Sequence, residues 1–338
     1  RMVLRMMLAQ WLRLGTPPHA VVATGLDLLA GGPRRLAHGV FSTLTKREAA
    51  LPAAPTLPAE VAARWGERAE AIAAGLAEPP PLDLTLRDPS ETEHWQVQLA
   101  ADSLMPGHLR LPRGASVETL PGFAEGAWWV QDLAAALPAR LLGQGEGRHV
   151  LDLCAAPGGK TLQLAAQGWQ VTALDISKRR LDLLKANLKR TGLKANTVRA
   201  DALKWEPKHQ YDAILLDAPC TATGTARRHP DVLHLKSPAD RDKLAALQAR
   251  LLDRAAALTA PGGTLVYCTC SLEPEEGVRQ IERFLAANAD FRRRSVTVDE
   301  VGGLAEILTG DGDIRSLPCH MGVEGGMDGF YAARLERA

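Results

Sequence analysis

Apolar residues recur every three or four positions over residues 1–14 and 19–30, the spacing of amphipathic helices, and "TPP" and "GGP" interrupt the two runs. A proline-rich stretch, "LPAAPTLP" (51–58), reads as a linker. The run "AEVAARWGERAEAIAAGLAE" behind it reads as one further helix ending at Pro79-Pro80-Pro81. Residues 82–125 hold short apolar runs among many turn residues, which predicts a small mixed α/β unit. From about residue 127 the pattern becomes regular, with β-rich runs alternating with helical ones. Strands are predicted over 149–154, 169–175, 196–201, 211–217 and 263–270. Between the second and third, "SKRRLDLLKANLKRTG" predicts a helix with Ser177 as N-cap and Gly192 as its stop. Such alternation builds a parallel sheet with helices on both faces, and sheets of this kind bind ligands at the carboxyl ends of their strands.

The turn after the first of these strands is "DLCAAPGGKT" (152–161). It looks like a phosphate loop, but the spacing excludes one. A P-loop needs Gly five residues before its last glycine, and counting back from Gly159-Lys160-Thr161 that position is Cys154. A dinucleotide turn would read G-x-G-x-x-G, whereas here Pro157 removes a backbone donor that a pyrophosphate would use. The next strand ends in Asp175, near the offset of a ribose-binding carboxylate, and the following strands end in Asp201 and in "DAPC", Asp217 to Cys220. One such Asp is as readily a helix cap. The set predicts an adenosine-containing ligand without phosphates, for which S-adenosylmethionine is the usual choice. The expected pocket comprises Cys154, Ala155, Ala156, Pro157, Gly158, Gly159, Lys160, Asp175, Arg180, Asp201 and Asp217.

Composition narrows the class. The chain has 338 residues, 46% hydrophobic and 23% charged, in the range of an ordinary soluble protein of two or three domains. No apolar run reaches the length of a membrane span, so no membrane partner is expected. The first residues, "RMVLRMMLAQWLRLG", suit a buried amphipathic helix better than a secretory signal, because no small-residue cleavage site follows. The net charge of +1 leaves no segment basic enough to hold nucleic acid by charge alone. Five cysteines do not make a disulfide scaffold, and their only close pair is C-x-C, so neither a metal site nor an oxidising compartment is expected; cytoplasm is the default.

Two of those cysteines, Cys220 and Cys270, fall at strand ends beside an acid, which suggests covalent chemistry. Cys154, Cys268 and Cys319 read as packing residues. Together "DLCAAPGGKT", "ALDISKRRL", "DAPCTATGTARRHPD", "YCTCSLEPEEG" and "GGMDGFYAARL" resemble the Nop/Sun family of RNA cytosine-5 methyltransferases, and "EGAWWVQDLAAALPARLL" (125–142) resembles that family's lead-in helix. The match covers residues 125–338 in order. The upstream part is similar to the bacterial Sun (Fmu) type, which methylates small-subunit ribosomal RNA; "LRMMLAQWLRLG…" resembles only the back half of its NusB-like domain. One departure is Gly277, where the family has Asn.

The resemblance implies an α/β fold of three parts: a partial all-α NusB-like region (1–50), a small α+β RNA-recognition-like domain (51–126) and a Rossmann-like S-adenosylmethionine-dependent methyltransferase domain (127–338). It implies a monomeric enzyme acting on 16S rRNA, with transfer RNA as the alternative substrate. By similarity Cys270 is the nucleophile that adds to cytosine carbon 6, Cys220 assists product release, and Asp217 holds the N3 proton. A free thiol is mostly protonated at neutral pH, so the nucleophile needs positive charge nearby. Lys160 and Arg227-Arg228 are the candidates. Arg227 and Arg228 are also expected to contact RNA through the "TATGTARRHPD" loop, whereas Arg110 and Arg113 read as ordinary surface residues or backbone contacts. A non-catalytic ribosome-assembly factor would have no need of both cysteines, and a small-molecule or protein methyltransferase would leave the pair unexplained.

Overall fold

Three helices make up the first of two units, Arg1–Ala53: α1 (Met2–Leu12), α2 (Pro18–Leu26) and α3 (Gly31–Lys46). The structure is a computed structural model that describes residues 1–338. The apolar spacing delivers Met7, Val21, Leu26, Ala37 and Phe41 to a small core, with Trp11 edge-on to Phe41 at 5.6 Å. The "GGP" expected only as a break instead supplies the first turn of α3. Pro33 is tolerated there because first-turn N–H groups have no intrahelical partner. Met2, Leu14, Leu28 and Leu36 stay exposed.

The second unit, Ala54–Ala338, begins with α4 (Ala59–Trp65) and α5 (Ala69–Gly75). These were expected as one helix. Gly66 separates them with φ +56°, an angle that glycine adopts at little cost and that ends α4. A four-stranded antiparallel sheet follows, built from β1 (Leu82–Leu86), β2 (Asp102–Met105), β3 (His108–Leu111) and β4 (Trp128–Val130) in the order β2-β3-β1-β4, with α6 (Thr92–Leu99) between β1 and β2. The stretch 125–142, expected as a lead-in helix, is thus part strand and part helix: Trp128 and Trp129 pair with β1, and only α7 (Leu133–Arg140) is helical. Two consecutive tryptophans favour a strand, and Asp132 caps the helix by accepting from Ala134 N.

The large sheet uses β5 (His149–Leu153), α8 (Gly159–Ala166), β6 (Gln170–Asp175), α9 (Lys178–Thr191), β7 (Asn196–Arg199), β8 (Tyr211–Asp217), α10 (Val232–Leu235), α11 (Pro238–Leu258), β9 (Thr259–Thr269), α12 (Val278–Ala287), β10 (Phe291–Arg293), β11 (Ile314–Ser316) and β12 (Phe330–Arg337). Its order is β10-β12-β9-β8-β5-β6-β7, with β11 also on β12. The strands from β9 to β7 are parallel, and β10 to β12 join antiparallel. Ser177 and Gly192 bound α9 as the sequence predicts. Alternate residues of each strand enter opposite cores. Val150, Ala213, Leu215 and Val266 face α7, α8 and α9, whereas Leu151, Leu153, Ile214, Leu216 and Tyr267 face α11 and α12.

The boundary drawn at 126/127 falls inside the second unit, where the two sheets are laced together. Gln131, just after β4, accepts from Trp129 Nε1 at 2.7 Å and donates to Gln163 Oε1 of α8 at 2.7 Å. Arg190 of α9 donates to Phe123 O and Trp128 O, and lies over the Phe123 ring at 4.3 Å. Arg110 is neither a surface residue nor open to a ligand. It is buried in a two-pronged ion pair with Asp83 and donates to Glu324 O at 2.8 Å, while Arg113 is exposed. No helix is long and apolar enough to cross a membrane, and no group of three or more His, Cys, Asp or Glu is placed to hold a metal ion.

Candidate active site

The "CAAPGGK" turn folds tightly because its own side chains and backbone hold it to the next strand. Asp175 at the end of β6 accepts from Ala156 N at 3.2 Å and from Ser177 N at 2.8 Å. Arg180 lies 3.7 Å from the same carboxylate and donates to Ala156 O. Gly158 has φ +110°, and a Cβ there would sit 2.8 Å from Leu184 Cγ of α9. Both the angle and the close helix demand glycine.

Two cavities flank this turn. The first, about 280 Å³, is lined by Cys154, Leu174, Asp175, Ile176, Arg180, Asp201, Ala202, Leu203, Pro219, Leu247 and Leu251. It is an apolar slot with carboxylates at the rim, of the size and chemistry of an adenosine. Burial, reinforced by the neighbouring carboxylates Asp217, Asp175 and Asp152, pushes the Cys154 thiol up to about 12, so it is a neutral wall of that slot. Asp201 already accepts from Leu203 N at 3.0 Å, which fixes its carboxylate beside the cavity.

The second cavity, about 470 Å³, lies over the other side of the turn and is rich in charge. Lys160 donates to Asp217 Oδ2 at 2.8 Å and stands 4.9 Å from the Phe330 ring. Burial alone would lower the Lys160 ammonium; the Asp217 carboxylate outweighs it and holds the lysine above its ordinary range. Asp152, wholly buried in β5, takes a 2.5 Å hydrogen bond from Thr161, and its other oxygen has no partner. Burial raises it to about 7, and the nearby Asp217 adds to that. Arg228 bridges Asp132 at 2.6 Å and Asp328 at 2.9 Å, and burial with the Asp132 charge raises Asp328 to about 7.

Cys220 and Cys270 meet at the carboxyl edge between β8 and β9. Their Sγ atoms are 3.4 Å apart. Neither lies within a strand: β8 ends at Asp217 and β9 at Thr269. Gly224 N donates to Cys270 O at 3.0 Å, and Gly329 N to Gly224 O at 2.8 Å, so three loops close round the pair. A Cβ on Gly224 would meet Gly329 O at 2.0 Å. The hydrogen bond with Cys270 and burial raise the Cys220 thiol well above the usual range. Cys268 is fully buried, with Sγ 3.6 Å from Asp217 Oδ1, and burial raises it too.

The structure therefore brings together Cys220, Cys270, Cys268, Asp217 and Lys160, and separately gathers Cys154, Asp175, Arg180 and Asp201. Of the two arginines expected near RNA, Arg228 lines the charged cavity through its carboxylate bridge, while Arg227 is 7% exposed and donates to Gly325 O. That leaves Lys160 as the cation beside the thiols. Sequence reasoning missed Asp132, Asp152, Glu276 and Asp328. The available signal was an acid inside an apolar strand, "VLDLC", and the third Glu after "TCS".

A profile of the 16S rRNA methyltransferase RsmB/F family matches residues 139–336. Ribosomal RNA small subunit methyltransferase B of Salmonella arizonae is 41% identical over 270 residues, 76% of this chain and 59% of its own length. The protein of that name from Klebsiella pneumoniae is 40% identical over 285 residues, 80% of this chain and 63% of its own. This chain thus spans about three fifths of the relatives it matches. The crystal structure of a methyltransferase homolog protein from Pyrococcus horikoshii aligns with a TM-score of 0.69 at 27% identity, covering 82% of this chain and 95% of that one.

Proposed function

The chain belongs to the 16S rRNA methyltransferase RsmB/F family, and from that premise we propose that it methylates carbon 5 of a cytosine in small-subunit ribosomal RNA, drawing the methyl group from S-adenosylmethionine. The observation that carries this reading is the pair of thiols 3.4 Å apart beside the Lys160–Asp217 ion pair. A methyltransferase acting on an already nucleophilic atom needs no such pair.

The slot beside Asp175 and Asp201 suits the adenosine of the cofactor, and the turn, with no N–H at Pro157, suits a ligand without phosphates. Bound there, S-adenosylmethionine supplies an electrophilic methyl group on a sulfonium. Everything else falls to the chain. Carbon 5 of cytosine is a poor nucleophile. The target base leaves its stack and enters the charged cavity, at a cost of a few kcal/mol. Cys270 sulfur bonds to carbon 6, and its thiol proton ends on N3, where Asp217 accepts the N3–H; carbon 5 becomes an enamine carbon able to take the methyl group. Lys160, donating to Asp217 Oδ2, holds that carboxylate in position for the task. Water then takes the carbon 5 proton as the sulfur–carbon 6 bond breaks, and the N3 proton returns to the departing Cys270 sulfur, which restores both the ring and the thiol. Cys220, held as a thiol against the leaving sulfur, stabilises it by hydrogen bonding. Arg228 lines the same cavity, as Arg190 does, which supports a role for it in contacting the target nucleotide.

We read the antiparallel sheet β1–β4 as an RNA-recognition-like unit and α1–α3 as NusB-like. The test is methyl transfer from labelled S-adenosylmethionine to 16S rRNA, with bisulfite sequencing of the product. Label entering a single cytosine supports the reading. Label confined to transfer RNA moves the substrate, and no label in any RNA defeats it.

A further inference from the structure

Glu276 is wholly buried, and its carboxylate ties together the two loops that carry the thiols. Thr221, the residue after Cys220, donates its backbone N–H to both carboxylate oxygens at 3.0 and 3.2 Å, and its hydroxyl to Oε2. Ser271, the residue after Cys270, donates its hydroxyl to Oε2 at 2.6 Å. Gln248 of α11 donates to Oε1 at 3.0 Å and also to Pro219 O at 2.8 Å. The Glu276 backbone carbonyl accepts from Tyr267 Oη at 2.7 Å and Thr269 Oγ1 at 3.3 Å, which anchors the residue to β9.

Every one of these carboxylate partners is neutral. A buried carboxylate without a cation is costly, and apolar packing would fill the space more cheaply. What an apolar residue or an amide lacks is the capacity to accept from all four donors at once, two loops and a helix together. Three of those donors belong to Thr221 and Ser271, the residues immediately following the thiols, so the carboxylate fixes the loop ends from which both sulfurs project. We infer that Glu276 is a positioning residue that sets the spacing of Cys220 and Cys270, a role that rests on the methyltransferase reading above. Its charge also acts on Cys220. After the hydrogen bond with Cys270 and burial, the Glu276 carboxylate is among the influences that hold Cys220 protonated.

The test uses the full chain with Glu276→Gln, Glu276→Asp, Thr221→Val and Ser271→Ala. Each weakens the tie while leaving both thiols in place, and a misplacement of order 1 Å costs roughly 100-fold. The expected result is a kcat lower by ~10- to 100-fold in the Glu276 variants, with RNA KM and S-adenosylmethionine Kd within about twofold of wild type. Aspartate keeps the charge but is too short to reach both loops, so it should not rescue. The alkaline limb of the pH–rate profile should move to lower pH in Glu276→Gln, because Cys220 loses a negative neighbour. Full activity of Glu276→Asp, or a loss explained by cofactor or RNA affinity, would overturn the inference. If Glu276→Gln does not fold, Thr221→Val and Ser271→Ala decide, each removing one hydroxyl. If wild-type protein methylates no RNA, the functional reading fails. Capture of Cys270 by iodoacetamide still judges the tie: it should change by ~fivefold or more in Ser271→Ala, and an unchanged rate sinks it.

Discussion

The two cavities beside the glycine turn share a wall and differ in kind. The slot at Asp175 and Asp201 has an apolar lining and carboxylates already oriented by backbone N–H groups. The cavity at Lys160 and Asp217 gathers four carboxylates and three cations, several of them bridged across the fold. The first is built from consecutive strand ends and suits a ligand that is only held. The second is assembled from distant segments, and Asp152, Lys160 and Asp328 in it have shifted protonation, as suits a place where protons move. The difference shows what to perturb: changes in the slot should alter affinity, and changes beyond the turn should alter rate.

The largest break should come from the thiols. Cys270→Ala should abolish turnover, by roughly 10³-fold or more, and give no covalent product. Cys220→Ala should lose turnover comparably but accumulate a denaturant-resistant protein–RNA band, and the double variant should behave as Cys270→Ala. A band with Cys270→Ala instead would exchange the two roles. Asp217→Asn comes next: kcat should fall by ~100-fold while cofactor Kd, measured by calorimetry, stays within about threefold. Asp201→Ala should do the reverse, raising cofactor Kd ~10-fold and leaving kcat at saturating cofactor within about twofold, the scale of one lost hydrogen bond to a charged group. Equal effects of both variants on both constants would erase the distinction between the cavities.

The smallest effect is on stability. Asp152 titrates near 7 in the fold, against about 3.8 when exposed. Between those values the folded chain binds a proton that the unfolded chain releases, so stability is greatest below the lower value and falls as pH rises toward 7. Asp152→Asn has no such proton, and its Tm should fall less than that of wild type between about pH 4 and 7. Parallel Tm curves would refute the shift.

The sequence predicts the parallel strands and α9 because both depend on local pattern. Ser177 and Gly192 act within one turn of the helix they bound, and the apolar strands sit between clear breaks. The antiparallel edge from β10 to β12 was not visible, because the three-residue strands β10 and β11 gain their pairing from β12, across intervening loops, rather than from any pattern of their own. The same limit hid half of the site. Nothing near Asp132 signals that Arg228 and Asp328 will meet it, and Glu276 reads as a solvated acid until Thr221 and Ser271 close over it. The lead-in stretch misled for a related reason: the resemblance implied one helix over 125–142, and β1 captures Trp128 to Val130 as a strand through pairing that lies outside the stretch.

The seam between the sheets has a consequence for modularity. Gly126, with φ +65°, lets the chain pass so close to the end of α9 that a Cβ would lie 2.2 Å from Arg190 O. Arg190 reaches back to Phe123 and Trp128, and Gln131 continues from β4 into α8. There is no hinge here to lengthen. A chimaera that exchanges the small sheet for another reader would inherit a mismatched surface unless it carried the carboxyl end of α9 along. The natural unit of recombination is therefore larger than the four strands, and a cut at residue 126 should yield two aggregating pieces.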